Sequence, residues 1–398
     1  MINNIRQEYR TLPFAVLLLI GLYLSQGIFG LLHFSRVLFI VFFLGFMWGY
    51  KKDTPFSTPL MLLMVSMVLS MFSCMIFHDQ GFVSSMGGYV TFAAISIFFV
   101  LRKLNIAPWQ IEKVLFWMFV IFCLCYIYQI LVFPKLVFIS SDEHINYEVS
   151  ISLRRIRMNG MSLAGFGAFF SLNKILSGKK IFIIPLALAI VVILLFGFRT
   201  LTFFVFVFSF VMVARIYKLS FKLIFGFSFM MVVLWAFSIT EFGQETFGAM
   251  MERQETDQTF ANKDYVRYAT LFYYYRDHFQ NVFEMFLGSG IPARDTGSAY
   301  EIYYNRLEAI GLHYYDWGLL GMSWMMGMLS LVGMLWYPIR AFFARLPKDK
   351  LYLSVWFGYL LCCAFTSAEF VRPGCFLLQG GVLYLITKYE YEKDYNNK

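Results

Sequence analysis

The sequence predicts an all-α polytopic membrane protein of about twelve transmembrane helices with a large helical outer loop. Three observations predict it. Of 398 residues, 60% are hydrophobic and only 14% are charged, where a soluble domain carries about 25% charged residues. The apolar residues fall in long unbroken runs rather than in alternation, so helices and not barrel strands are expected. The basic residues recur at every second break between those runs, the pattern the positive-inside rule produces. The same composition excludes a multidomain soluble protein, a disordered chain and a disulfide scaffold. The 6 Cys all lie in apolar stretches and read as buried thiols rather than a disulfide framework or zinc site.

A helix crosses the bilayer core with roughly 20 apolar residues. By that rule the spans cover 14–32, 35–50, 59–77, 87–101, 114–133, 161–176, 181–197, 199–217, 221–240, 312–336, 351–368 and 374–388. Gly197-Phe198-Arg199 interrupts an apolar run too long for one crossing, so two spans joined by a tight turn are expected there. The breaks holding Lys51 and Lys52, Arg102 and Lys103, Lys179 and Lys180, Arg215 and Lys218, and Arg340 through Lys350 all fall on the side of the N-terminus. Both termini are therefore expected inside the cell. The formal net charge of +9 becomes a topology signal, and no nucleic-acid partner is expected.

Two outer loops are long. The first covers 134–160 and ends in Arg154-Arg155-Ile156-Arg157. The second covers 241–311 and holds a helix-like stretch, Asp264 to Phe286, followed by the breaker Gly288-Ser289-Gly290. Loops of this length are commonly functional.

Arg on the outer side runs against the insertion rule. Arg154, Arg157, Arg199, Arg267 and Arg276 are the candidates to bind substrate, because a guanidinium stays charged and grips phosphate with two donors. The plainer alternative is that some snorkel or pair with loop acids. His313 stands at the outer start of a span and is placed to take a proton from a hydroxyl. Asp316, three residues on, is expected on the same helical face, where it would orient His313. The plainer alternative is an interfacial histidine in an aromatic belt, and His33, His78 and His278 read as belt or loop residues. Tyr273 to Tyr275 and Tyr300 to Tyr304 suit either sugar rings or the interface. The five scattered His form no metal-ligand pattern, no phosphate-binding Gly-rich loop is present, and neither metal nor cofactor is expected.

With these motifs in order, the chain resembles the bacterial O-antigen polymerase (Wzy-type) and O-antigen ligase family from about Arg154 to Gly321. Arg157-Met-Asn-Gly160-Met-Ser-Leu-Ala-Gly165 is similar to the Arg/Gly motif that ends the family's first large periplasmic loop. Gly197-Phe198-Arg199-Thr200 resembles its Gly-x-Arg step. Arg267 with the aromatic stretch after it, Gly288-Ser289-Gly290 and Asp316-Trp317-Gly318-Leu-Leu-Gly321 resembles its second loop and return to the bilayer. Ligases carry a His-Asn pair two to three helical turns ahead of the final Gly-x-x-Gly. Here Tyr314 follows His313, which lies five residues before Gly318, and this departure favours the polymerase branch.

The resemblance implies a glycosyltransferase of the inner membrane acting at its periplasmic face. The donor would be glycan on undecaprenyl diphosphate, the acceptor a lipid-linked repeat unit, and a chain-length regulator a plausible partner. It would give Arg199 and Arg157 the leaving diphosphate, Arg267 a donor or acceptor diphosphate, and His313 with Asp316 the acceptor hydroxyl. The nearest rival is the ligase, which transfers glycan to lipid A core. A rival of another class is a lipid-linked oligosaccharide flippase, which would place ionisable residues in mid-span.

Overall fold

The computed structural model describes residues 14–16, 35–133, 135, 137–138, 158–217, 266–293, 297–365 and 368–396. The span expected at 221–240, nearly all of that at 14–32 and most of the first outer loop, with Arg154 and Arg157, lie outside the described residues.

Every regular element among the described residues is helical. Those of six residues or more, short 3-10 and π turns apart, are in chain order α1 (Ser35–Gly49), α2 (Ser57–His78), α3 (Phe82–Leu104), α4 (Pro108–Leu131), α5 (Met161–Leu176), α6 (Ile183–Phe196) and α7 (Arg199–Tyr217). There follow α8 (Val266–Arg276), α9 (Val282–Leu287), α10 (Leu319–Met326), α11 (Met328–Phe342), α12 (Leu351–Cys363) and α13 (Cys375–Asn396). Among the described residues, four helices are long and apolar enough to cross a membrane: α2, α3, α4 and the Thr200–Tyr217 part of α7. α1, α5, α6 and α11 are apolar but shorter.

Two helices sit at the centre. α12 has apolar residues all round and buries Leu351 through Leu360 without a break, as a helix enclosed by others must. Along α13, Cys375 to Ile386 are buried in the same way. α5, α7 and α11 pack around α12, and small residues let them approach. A Cβ on Gly165 of α5 would meet the Tyr359 ring at 2.9 Å, and one on Gly358 of α12 would meet Phe208 and Phe342 at 2.5 Å. This small-residue packing is how membrane helices gain contact without a hydrophobic driving force between them. The outward faces are apolar instead: Val37, Leu44 and Trp48 of α1, Trp117 and Leu124 of α4, and Ile184 of α6 are exposed.

The turn at Gly197 forms as expected. Gly197 ends α6 at φ 68°, in the left-handed region a side chain disfavours, and α7 starts two residues later.

Three expected elements differ. The span 312–336 is discontinuous: its helix starts only at Leu319 and breaks at Gly327 into α10 and α11. Gly318 (φ 52°, ψ −120°) and Gly327 (φ 82°, ψ 166°) hold backbone shapes that other residues avoid. The stretch 264–286 is two helices. α8 ends where Asp277 and His278 both donate to the Tyr273 carbonyl, and Asn281 caps α9 by accepting from the Glu284 amide at 2.9 Å. Finally, Gly288 to Pro292 is buried and re-enters the bundle between α2 and α10, while Val282, Phe283 and Phe286 just before it stay exposed.

That re-entrant segment satisfies the backbone that the broken helix leaves open. Ser289 and Gly290 donate amides to the carbonyls of Trp324 (3.0 Å) and Met325 (2.9 Å), and the Ser66 hydroxyl of α2 donates to Met326. Buried non-helical backbone is stable only when it is paired within the protein. At Gly288 the approach is backbone to backbone, a Cβ there lying 2.4 Å from the Gly327 nitrogen, and one on Gly290 would lie 2.3 Å from the Cys74 side chain at Cβ.

Polar contacts gather at two opposite ends. At one, Arg102 pairs with Asp53 (2.7 Å), Lys350 with Glu112 (2.6 Å) and Arg340 with Glu390 (2.9 Å). Asn173 donates to the Lys348 carbonyl there at 3.0 Å. At the other lie His78, Glu284, Trp317, Glu369 and Arg372.

Candidate functional site

The site is built where α5 begins, α6 meets α7, and the chain turns from α12 into α13. Gly160 (φ 119°) precedes α5 and lets the chain turn into the helix. The next amide but one, that of Ser162, donates to Glu369 Oε1 at 2.5 Å. The Ser162 carbonyl accepts from the Trp356 indole at 2.9 Å. Glu369 is 1% exposed, and burial pushes its carboxyl above the usual range while Arg372 and the Ser162 amide pull it back. Arg372 Nε lies 3.4 Å from Glu369 Oε2. Its guanidinium rests 5.7 Å from the Phe198 ring and 6.0 Å from the Phe196 ring. A cation so placed is oriented by both charge and ring faces. Arg199 follows Phe198 directly and opens α7. The Gly-x-Arg step, the start of α5 and Arg372 thus share one corner.

The second part is the chain leading into α10. His313 is extended (φ −102°, ψ 118°) and precedes the single turn Tyr314–Trp317. It does not stand on a helix with Asp316, as the i, i+3 spacing had suggested. The two are joined through the backbone, the Asp316 amide donating to the His313 carbonyl at 3.2 Å. The His313 ring stacks on Tyr315 at 4.9 Å, and its Nδ1 is buried without a partner. Gly321 explains the Gly-x-x-Gly spacing: a Cβ there would overlap the Tyr314 carbonyl oxygen at 1.6 Å. The Trp317 indole donates to the Arg267 carbonyl at 3.0 Å, tying α8 to this turn. The Leu319 amide donates to the Ala364 carbonyl at 2.9 Å, and the Tyr314–Trp317 turn touches the Ala368–Val371 turn. The two parts are therefore contiguous.

Of the residues the sequence singled out, Arg267, His313 and Asp316 border this region, and Arg199 opens the helix beside it. Arg276 stands exposed in the last turn of α8. Arg372, in the short connection between α12 and α13, is not among the residues the sequence points to.

The re-entrant segment carries a further polar group that the sequence reading placed in a belt. His78, 2% exposed, meets fully buried Glu284 at 2.5 Å. Glu284 Oε2 accepts from the Gln280 amide at 2.6 Å. His278 stacks near His78 at 6.4 Å and shares a hydrogen bond with Ser289 Oγ at 2.9 Å. Burial, then the neighbouring His78, pushes the His278 imidazole down to about 3, so it is neutral at ordinary pH. The available signal was a lone Glu inside the apolar run Val282–Leu287, which required a buried partner.

Compared with known protein families, with curated proteins and with solved structures, the chain finds no match.

Proposed function

We propose that this chain is a membrane glycosyltransferase of the O-antigen polymerase class. It moves a glycan from polyprenyl diphosphate to a lipid-linked repeat unit of an O-antigen or capsular polysaccharide. The observation that carries the reading is the shared corner of the Gly197-Phe198-Arg199 step, the Gly160 start of α5 and Arg372, next to the Trp317 and Arg267 turn. The gathering of the Arg102, Lys350 and Arg340 ion pairs at the opposite end supports the assignment of that end to the cytoplasm. The active corner then faces the periplasm, with both chain ends inside and the rest of the expected twelve spans completing the bundle.

In the reaction, the acceptor hydroxyl oxygen attacks the donor's anomeric carbon. The bond from that carbon to the diphosphate oxygen breaks, and undecaprenyl diphosphate leaves with the electron pair. Arg199, Arg157 and Arg372 hold the charge that develops on the leaving diphosphate, and Arg267 grips a lipid-linked diphosphate. His313 takes the proton released by the acceptor, with Asp316 fixing its turn.

The test is the surface glycan of a deletion strain complemented with the wild type or with Arg199→Ala. The wild type restores a long ladder, and the variant, at equal protein level, leaves single repeats on the core. A ladder made by the variant removes Arg199 from the mechanism.

One observation favours a second reading. A discontinuous helix beside a buried ionisable pair, as at Gly327 and His78–Glu284, is also how transporters build their sites. A flippase deletion would leave no repeat on the core, as would a ligase deletion, whereas a polymerase deletion leaves one.

A further inference from the structure

Buried polar atoms are nearly always hydrogen-bonded, and each that is not needs an explanation. Five such atoms among the described residues lie on two neighbouring groups of aromatic rings: Tyr274 Oη, Trp324 Nε1 and His278 Nδ1 in one, and Tyr303 Oη and His313 Nδ1 in the other. The others not in these groups are mainly single Ser, Asn and Gln atoms on packed helices.

The rings form two stacked groups, one around Tyr274 and one around Tyr314, carried by α8, α10 and the Tyr314–Trp317 turn, which pack on one another. Tyr274 lies flat on Trp324, 4.5 Å apart at 7°, and 4.5 Å from the His278 ring. Tyr303 packs on Tyr314 at 5.0 Å, Tyr314 on Tyr315 at 5.5 Å, and Tyr315 stacks on His313. Burial pushes the Tyr274 and Tyr303 phenols far above the ordinary value, and Tyr314 and Tyr315 push both further. Both therefore remain donors. Tyr274, Tyr303 and Trp324 are at most 5% exposed, whereas His313, Tyr314 and Tyr315 are half-buried. Tyr303 sits on a π-helical turn, Glu301–Leu307, a costly geometry found mostly at functional sites.

We propose that these two groups, with Tyr274, Tyr303, Trp324 and His313 to Tyr315, are a saccharide-recognition subsite. The inference rests on the glycosyltransferase reading and assigns the sugar, as distinct from the diphosphate, to these residues. The chemistry selects the ligand class. A lipid tail or a quaternary ammonium would use the ring faces but leave the O–H and N–H donors unmet. A pyranose offers both apolar C–H faces for the rings and hydroxyls for the donors. Its position beside His313 puts a bound sugar next to the residue that takes the acceptor proton.

The test is calorimetric titration of the purified full-length protein in detergent. The probe is the free oligosaccharide released by mild acid from the producing cells' polyprenyl carrier. Tyr274→Phe and Tyr303→Phe keep each ring and remove only the hydroxyl. Each is expected to weaken binding at least tenfold while leaving the melting temperature unchanged or higher, because the lost hydroxyl had no partner in the fold. A hydroxyl with only a structural role would instead lower the melting temperature on removal. The subsite is overturned if the wild type gives no binding, if both variants bind like the wild type, or if affinity falls only together with the melting temperature. The two readings separate. Weakened binding in the variants with a full polymer ladder in the deletion strain keeps the subsite and removes the polymerase. A lost ladder in the deletion strain with wild-type binding by the variants does the reverse.

Discussion

His78 Nε2 lies 2.5 Å from Glu284 Oε1, across 206 residues of sequence. The contact fastens the re-entrant segment to the end of α2, with Gln280 Nε2 donating to the Phe77 carbonyl beside it at 2.8 Å. Removing one partner leaves the other buried and unpaired, which costs about 3–5 kcal/mol. Glu284→Ala and His78→Ala should each lower the melting temperature in detergent strongly. The double variant should lose clearly less than the sum of the singles. Additive losses would show that the two side chains act independently.

Stability should depend on pH through His278. Its folded value of about 3 lies below the unfolded value near 6.5. Between those values the unfolded chain binds a proton that the folded chain refuses. Stability is therefore complete above about pH 6.5 and falls toward pH 3, by at most about 1.4 kcal/mol per pH unit from this residue. Melting curves from pH 4 to 8 should show that slope, and His278→Gln should flatten it. His78, Glu284, Tyr273 and Tyr274 face the same ring or its neighbours, so the variant's difference, not the bare slope, is the measure.

Gly288 and Gly327 meet backbone to backbone. Gly288→Ala puts a Cβ 2.4 Å from the Gly327 nitrogen at φ 89°. Strain of this kind costs about 1–3 kcal/mol before the clash is added. The variant should free the segment, and limited proteolysis between residues 278 and 293 should detect it. Gly178→Ala, with φ 91° but open space around it, should leave the cleavage pattern unchanged.

Arg372 should be needed for chain elongation. Arg372→Ala should abolish the long ladder. Arg372→Lys keeps the charge, loses the planar stacking on Phe198 and should shorten the ladder. Pairing each change with Glu369→Gln removes the unbalanced buried carboxylate, so folding and chemistry can be read apart. Long polymer from the doubly substituted Arg372→Ala, Glu369→Gln protein would remove Arg372 from the site.

Much of the helical layout was legible because apolar runs and their breaks are local. Met161–Leu176 and Arg199–Tyr217 follow from composition and from Gly197. The break at Gly327 was hidden inside Trp-Met-Met-Gly-Met-Leu, where every residue suits a span and one Gly is tolerated in membrane helices. The division of 264–286 was masked by aromatics that keep helical spacing across Asp277 to Asn281. His78 with Glu284, and Glu369 with Ser162, are long-range pairs that no local pattern announces. Arg372 belonged to the same outer-Arg logic as Arg199 but lay in a loop too short to draw notice.

The enclosed position of α12 bears on biosynthesis. Helices are made in chain order, yet α5 and α7 pack against an element that emerges only after residue 350. Until Leu351–Cys363 is inserted, the glycine-bearing face of α5 around Gly165 has no Tyr359 to cover it. The bundle is therefore completed from its middle only once this helix has been made. A chain stopped before Leu351 lacks its centre rather than its edge, so late nonsense mutations should leave substrate for membrane quality control and no partial activity.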